Sequence, residues 1–255
     1  MNARSLQACS ALLSRSSTAS RSGASTGSTR STAGSRQEGG DVADSAQFTL
    51  YCFAQSGNCY KPALALQLAG ADWTPRFVDY FKGETSTPAY REINAMGEAP
   101  VLEHRGLRLT QSGVILEYLA EALGRFGPSD AGERREVLRW LLWDNHKLTS
   151  YTATYRFLRT FINGTDESVM KFLRGRAETA WAVLNAHLSA RRYVVADRLT
   201  IADLSLCGYL FFADEIGVDW SVYPGIRDWL ERVRAEPRWV HPYELMPGHP
   251  LPGRA

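Results

Sequence analysis

A short turn near residue 56 carries side chains that could stabilise an anion. It reads Ser56-Gly57-Asn58-Cys59-Tyr60-Lys61 and lies between a short apolar run and a segment with helical periodicity. A hydroxyl that donates to a charged acceptor contributes about 1.5 to 3 kcal/mol, and the N-terminus of a following helix adds about 0.3 to 1 kcal/mol. The turn could therefore stabilise a bound anion, with the Ser56 hydroxyl as a donor.

A second patch combines a proline with the start of a helix. Ala99 precedes Pro100 at the beginning of a predicted strand, which suits a cis proline that turns the Ala99 backbone outward. Gln111 and Ser112 stand where a helix begins, so free N–H groups and a hydroxyl could bind a carboxylate there. A strand-edge proline and ordinary N-capping are the purely structural alternatives.

The elements that position these patches form an α+β unit. A two-residue connection, Arg105-Gly106, separates two short apolar runs and predicts a hairpin. The predicted strands and helices follow the order βαβαββα, which gives a mixed sheet. Their ranges are strands at 48–53, 73–80, 100–104 and 107–110, and helices at 60–68, 90–93 and 112–123.

The second half of the chain has a different pattern. Strand signals stop after Gly127-Pro128, and helical periodicity predicts an all-helical domain. Its periodic segments lie near 132–162, 166–190, 200–216 and 224–235. We therefore predict one domain over 47–123 and a second over 132–250, with the cleft between them as the default site.

Composition excludes several classes of protein. The net charge is +2, but residues 1–37 carry five arginines and no acid, so the remainder is mildly acidic and offers no basic surface for nucleic acid. No apolar stretch approaches the length of a membrane span. The four cysteines form no CxxC pair and no Cys/His cluster, which argues against a disulfide framework or metal site and favours a reducing, cytoplasmic compartment.

The first 46 residues are rich in Ser, Thr, Arg, Gly and Ala. Such a segment buries too little apolar surface to offset its ordering entropy, so we expect disorder. It is either a dispensable extension or, because it is Arg-rich and acid-poor, an organelle transit peptide.

Three patches, taken in order, resemble the cytosolic glutathione transferase superfamily. They are residues 56–61, residues 99–102 with Gln111-Ser112, and residues 197–203, and the match covers essentially 47–249. In the third patch, Thr200 and Asp203 have the spacing of a capping box, which indicates a role in folding. The resemblance implies a thioredoxin-like N-terminal domain, an all-helical C-terminal domain and a homodimer.

The resemblance also implies which residues bind glutathione, the co-substrate. Ala99 and Pro100 would present backbone that pairs with its cysteinyl unit. Gln111 and Ser112 would bind its γ-glutamyl carboxylate, and Lys82 would add positive charge. No metal is implied.

Glu98 departs from the family pattern. Many relatives have Gln or Lys at this place, before the Ala-Pro pair. A carboxylate cannot donate to the glycine carboxylate of glutathione and would repel it at short range. We therefore expect Glu98 to point to solvent, or Lys82 and Arg91 to neutralise it.

Two residues are candidates for the donor to the glutathione thiol. Ser56 lies fourteen residues before Gly70, as the catalytic serine does in theta-like and phi-like classes. Asn58 is the alternative, because bacterial classes with a Ser/Thr-x-Asn turn use the amide. Cys59 is one residue out of register with the beta-class cysteine and is expected to be a wall or helix residue. Tyr51 resembles the tyrosine of other classes in type only.

The implied activity is a glutathione transferase that attacks small hydrophobic electrophiles, as in detoxification. Glutathione-dependent disulfide or peroxide reduction is one alternative, and a non-catalytic binding module of the same fold is another. For the electrophile site, the resemblance implies Trp143, Lys147 and Tyr151, although packing is the alternative for such a stripe. The tail, residues 241–250, is proline-broken and is predicted to be non-helical and to cover the cleft.

Overall fold

Four strands form a mixed sheet in the computed structural model, which describes residues 47–251. The expectations for residues 1–46 lie outside this range. The sheet order is β2-β1-β3-β4, with β1 and β2 parallel and the other neighbours antiparallel, so the sheet is mixed, as predicted. The strands are β1 (Phe48–Cys52), β2 (Trp73–Phe77), β3 (Val101–His104) and β4 (Leu107–Thr110).

The hairpin between β3 and β4 has the predicted two-residue turn. Arg105 and Gly106 have φ values of 49° and 76°. Positive φ at both positions matches the right-handed twist of the flanking strands. β2 is shorter than predicted, because the chain leaves the sheet after Phe77 and forms short 3₁₀ turns at Tyr80–Lys82 and Glu84–Ser86.

Three helices complete the thioredoxin-like unit. α1 begins three residues before the predicted start and ends at Gly70, whose φ of 69° closes the helix. The helices are α1 (Gly57–Ala69), α2 (Pro88–Ile93) and α3 (Ser112–Leu123). The order βαβαββα is confirmed.

The remainder of the described chain is helical, as predicted. The helices are α4 (Ala131–Trp143), α5 (Thr149–Phe161), α6 (Glu167–Leu188), α7 (Ile201–Leu206), α8 (Ala213–Ile216), α9 (Pro224–Arg234) and α10 (Pro242–Leu245). α4 and α5 are joined by a π-helical segment, Asp144–Leu148. The tail was expected to be non-helical, but α10 forms because Pro242 suits a first helical position and the His241 ring accepts from the Tyr243 N–H. The domain limits stay a prediction.

A buried ion pair links α1 to the helical half. Lys61 Nζ lies 2.8 Å from Asp144 Oδ2, and the two side chains are 1% and 0% exposed. Thr149 and Ser205 donate to the same carboxylate. The desolvation cost of such a pair is large, so these hydroxyls are needed to satisfy the Asp144 oxygens.

The capping box at the start of α7 is present as predicted. Asp203 is fully buried and accepts from the Val194 N–H, from Thr200 and from the Trp229 indole at 2.8 to 2.9 Å. Burial raises the pKa of its carboxyl, while these hydrogen bonds oppose the shift. The third sequence patch is therefore structural. Across residues 47–251, no helix is both long and apolar enough to cross a membrane.

Candidate active site

A cleft of about 430 Å³ lies between the sheet half and the helical half. Its walls come from the turn before α1, from the segment 97–100 with the start of α3, and from α5. The two patches identified in the sequence therefore face one cavity. Ser56, Asn58, Ala99, Pro100, Gln111 and Ser112 all line it.

Ser56 is the N-cap of α1. Its backbone is extended, with φ −94° and ψ 110°, and its Oγ accepts from the Cys59 N–H at 3.2 Å. The side chain is nearly buried, at 6% exposed. Because the cap uses an acceptor site of the oxygen, the hydroxyl group can still donate its proton.

Asn58 lies two residues further along, on the first turn of α1. Its Oδ1 is buried and has no hydrogen-bond partner among residues 47–251. A buried polar atom without a partner is uncommon and costs free energy unless a ligand or water satisfies it. Ser56 and Asn58 both line the cleft, so the choice between them as the donor stays open.

Cys59 does not line the cleft and is completely buried. Burial raises the pKa of its thiol to about 12, although hydrogen bonds from Ser56 and the Phe53 backbone oppose the shift. Its thiolate is therefore not populated near neutral pH. This matches the expected wall or helix position.

Tyr51 lies outside the cleft as well. Its hydroxyl donates to Glu103 at 3.1 Å and accepts from Arg76 at 2.9 Å. Both partners belong to the neighbouring strands, so the tyrosine is part of a cross-strand network.

The second patch has unusual backbone geometry. The Ala99-Pro100 peptide bond is cis, as predicted. Gln111 has φ 68° and ψ 115° at the N-cap of α3. A non-glycine residue in such a conformation costs about 1 to 3 kcal/mol, and such positions cluster at functional sites. The N-terminal N–H groups of α3 and the Ser112 hydroxyl lie at the cleft.

Glu98 also lines the cleft, and its side chain is exposed. Its carboxylate accepts from Gln111 Nε2 at 2.9 Å. The expected neutralisation by Lys82 and Arg91 is not found: Lys82 pairs with Asp79 at 2.9 Å, and Arg91 donates to the Ala95 carbonyl. The solvent-facing alternative is the observed one.

Two groups of predicted site residues lie elsewhere. Lys82 lines a neighbouring apolar pocket, and its side chain is 80% exposed. Trp143, Lys147 and Tyr151 do not line the cleft. Trp143 packs edge-on against Trp140, and Tyr151 lies 5.9 Å from the Arg176 guanidinium on α6.

The physical reason for this difference is the π-helical segment. It contains one more residue per turn than an α-helix, so it rotates the following residues relative to those of α4. The regular spacing of one α-helical face therefore does not continue from α4 into α5. The helical wall of the cleft is formed instead by Ala153, Arg156, Phe157 and Phe161 of α5.

The rest of this wall is aromatic. Phe53 stacks on Tyr80 with ring centroids 4.8 Å apart, and Phe81 lies 5.1 Å from Phe161. Tyr80 and Phe81 are each 39% exposed, although both are large aromatic residues. Tyr80 is the last residue of the strand predicted over 73–80 and Phe81 follows it, so the sequence pattern does not single out either ring as part of a site.

Arg156 was also missed by the sequence analysis. The side chain is 2% exposed and donates to the Gln55 carbonyl at 2.7 Å, next to Ser56. It also pairs with Glu215 and donates to the Tyr243 hydroxyl. The Arg156 guanidinium therefore connects three segments: the turn that carries Ser56, helix α8 and the tail.

Tyr209 completes the cleft beside the turn. A Cβ atom at Gly57 would lie 2.5 Å from the Tyr209 ring, so this contact requires glycine. Burial raises the pKa of the Tyr209 phenol, with smaller opposing contributions that include Arg156, Ser56 and the Asn58 backbone.

The tail lies against the segment that precedes Ser56. The Ala54 N–H donates to the Pro247 carbonyl at 2.8 Å, and Gln55 Nε2 donates to the Gly248 carbonyl at 2.7 Å. The tail borders the neighbouring apolar pocket, which shares Phe53, Tyr80, Phe81 and Phe161 with the cleft. In the described part of the chain, no group of three or more His, Cys, Asp and Glu side chains could hold a metal ion.

Comparison with known proteins is consistent with this architecture. Residues 46–121 match the N-terminal domain model of glutathione S-transferase, and residues 149–232 match the C-terminal domain model. The crystal structure of a glutathione S-transferase from Pseudomonas fluorescens Pf-5 is 36% identical, with a TM-score of 0.72. The match covers 76% of this chain and 98% of that one.

Two curated relatives are more distant. Disulfide-bond oxidoreductase YfcG of Escherichia coli is 27% identical, over 72% of this chain and 89% of YfcG. Glutathione S-transferase F14 of Arabidopsis thaliana is 26% identical, over 83% of this chain and 91% of F14. With both domain models matched and the cleft formed where they meet, the chain belongs to the glutathione S-transferase family.

Proposed function

We propose that the protein is a glutathione transferase that stabilises the thiolate of glutathione for attack on small hydrophobic electrophiles. The observation that carries this proposal is the state of Ser56. Its oxygen caps α1, its hydroxyl can still act as a donor, and it lines the same cleft as the first residue of α3.

The cleft suits an extended peptide with a charged end. The Ser112 hydroxyl and the first N–H groups of α3 bind the γ-glutamyl carboxylate, because a helix N-terminus favours negative charge. The Ala99 backbone pairs with the cysteinyl unit. The thiol then lies at the turn that carries Ser56 and Asn58.

The chemistry requires a stabilised anion and no general base. A free thiol has a pKa near 8.5, so only a few per cent is ionised at neutral pH. A hydroxyl donor to the thiolate contributes about 1.5 to 3 kcal/mol, and the N-terminus of α1 adds about 0.3 to 1 kcal/mol. Among residues 47–251, no histidine lines the cleft.

The second substrate lies against the aromatic wall. Tyr80, Phe81, Phe157 and Phe161 offer flat apolar faces that remain partly exposed beside the cleft, next to the buried ring of Phe53. Such rings bind apolar and aromatic groups by stacking and edge contacts. A small hydrophobic electrophile is the substrate class that fits.

Glutathione-dependent disulfide reduction is the second candidate. It is favoured by Asn58, which lines the cleft and whose amide NH₂ group can donate to a thiolate, and by the similarity to a relative named as a disulfide-bond oxidoreductase. In this reaction two glutathione molecules are oxidised to glutathione disulfide while the substrate disulfide is reduced.

The two candidates are separated by parallel assays on the purified protein. One assay measures conjugation to 1-chloro-2,4-dinitrobenzene, and the other measures reduction of 2-hydroxyethyl disulfide. Conjugation that depends on Ser56 supports the first proposal, and disulfide reduction that depends on Asn58 supports the second. Glutathione binding without turnover in either assay would leave the non-catalytic binding module.

The proposed assembly is a homodimer that uses α3 and α4. Val114, Leu138 and Leu142 are 55%, 53% and 63% exposed on these helices. They border an apolar groove of about 610 Å³ that a second copy would cover. We place the protein in the cytoplasm, where reducing conditions keep glutathione and the free thiols of Cys52, Cys59 and Cys207 reduced.

A further inference from the structure

The cleft contains one acid that the chain itself does not neutralise. Among the cleft-lining residues within 47–251, Glu98 is the sole acid and Arg156 the sole base. Arg156 is already paired with Glu215 at 2.6 Å. Glu98 is exposed, and no cation of the described chain pairs with it. A positively charged group of a bound ligand could therefore form an ion pair with Glu98.

The position of this carboxylate is fixed by Gln111. Gln111 Nε2 donates to Glu98 Oε2 at 2.9 Å. Gln111 immediately precedes Ser112, the first residue of the twelve-residue helix α3. The acid is therefore held beside the helix N-terminus, with its second oxygen, Oε1, directed to no hydrogen-bond partner among residues 47–251.

A ligand that fits this arrangement would carry both a carboxylate and an ammonium group. The N-terminal N–H groups of α3 and the Ser112 hydroxyl favour a carboxylate. Glu98 favours an ammonium group, through a charge-assisted hydrogen bond. The α-carbon of a γ-glutamyl unit carries both groups, whereas the glycine end of glutathione carries a carboxylate alone.

We propose that Glu98 binds the α-ammonium group of the γ-glutamyl unit and selects peptides in which this amine is free. The assignment rests on the proposed glutathione site. It gives the residue that departs from the family pattern a specificity role. Its charge attracts the γ-glutamyl head group and repels the glycine carboxylate, so it also sets the direction in which the peptide binds.

The test compares glutathione with glutaryl-Cys-Gly, which lacks only the α-amino group. Calorimetry measures the affinity of each peptide for the wild type, for Glu98→Gln and for the control Glu92→Gln. Glu92 is an exposed acid on α2 that does not line the cleft. Glu98→Gln keeps an acceptor for Gln111, so the melting temperature is expected to stay unchanged.

The wild type and Glu92→Gln are expected to bind glutathione roughly three- to tenfold more tightly than the deaminated peptide, as for an exposed charge-assisted hydrogen bond. Glu98→Gln is expected to bind the two peptides equally. If Glu98→Gln keeps the preference, or if the wild type binds both peptides equally, the role of Glu98 is overturned while the glutathione site stands. If the wild type binds neither peptide, the proposed function fails and this assignment fails with it.

Discussion

Ser56 Oγ accepts a hydrogen bond from the Cys59 N–H at 3.2 Å. This bond gives Ser56 two separate tasks, because a hydroxyl oxygen can accept while its proton is donated elsewhere. The accepted bond satisfies one of the free N–H groups at the start of α1. The hydroxyl group can still donate to a ligand in the cleft, so capping and thiol activation do not compete.

Replacement of Ser56 by Ala is expected to raise the apparent pKa that governs conjugation. The lost hydrogen bond is worth about 1.5 to 3 kcal/mol of thiolate stabilisation, which is roughly ten- to hundredfold in turnover at neutral pH. The pH–rate profile measures it. Ser112→Ala is the matched control, with weaker glutathione binding and an unchanged thiol pKa. An unshifted profile in Ser56→Ala would contradict the assignment.

Asn58→Ala tests the other candidate donor. If Ser56 is the donor, Asn58→Ala lowers conjugation less than Ser56→Ala does and leaves the pKa of the pH–rate profile in place. Its main effect is expected on glutathione affinity, since Asn58 lines the cleft that the peptide would occupy. Calorimetry and the conjugation assay together measure this split. Loss of turnover in Asn58→Ala, with normal rates in Ser56→Ala, would assign the amide instead.

Cys59→Ala is expected to leave the pH–rate profile of conjugation unchanged, because the buried thiol has a pKa of about 12 and does not line the cleft. It also changes stability at high pH. The thiol ionises in the unfolded chain near pH 9 but in the folded protein only near pH 12, so its contribution to stability is lost as pH rises through this window.

Urea unfolding between pH 9 and pH 10.5 measures this loss. The wild type is expected to lose up to about 1.4 kcal/mol per pH unit more than Cys59→Ala, because one fewer proton is bound in the unfolded state. Equal slopes in the two proteins would show that Cys59 ionises freely in the folded state.

Local sequence patterns predicted the framework of this site, and long-range contacts determined the rest. The turn at Ser56, the Ala99-Pro100 pair and the helix start at Ser112 each have a signal within a few residues. Arg156 contacts Gln55 across 101 positions, so no short pattern could reveal it.

The helical wall of the proposed electrophile site could not be predicted from sequence for a different reason. The resemblance implies Trp143, Lys147 and Tyr151 for this site, but a π-helical segment lies between Trp143 and Tyr151 and interrupts the α-helical spacing. A π-helical segment has no reliable sequence signature, because it depends on buried contacts such as the Asp144 network. The face of α5 that meets the cleft was therefore not predictable from periodicity.

The buried pair between α1 and the π-helical segment is expected to respond asymmetrically to substitution. Asp144→Asn leaves the Lys61 ammonium buried without a counter-charge, and removal of one partner of such a pair costs about 3 to 5 kcal/mol. Lys61→Met is expected to cost less, because Thr149 and Ser205 still donate to the carboxylate. Chemical denaturation measures both. A larger loss in Lys61→Met than in Asp144→Asn would contradict this account.

Leu142→Glu is expected to convert the proposed dimer into a monomer. Leu142 is 63% exposed, next to Leu138 and Val114, so a charge there costs little in the isolated chain. In the dimer the same charge would be buried against apolar groups without a partner, which is strongly unfavourable. Sedimentation at micromolar concentration is expected to give twice the monomer mass for the wild type and the monomer mass for the variant. Val222→Glu is the control, since Val222 is 70% exposed but lies outside the groove. A wild type that sediments as a monomer, or a variant that remains a dimer, would exclude this face as the contact between two copies.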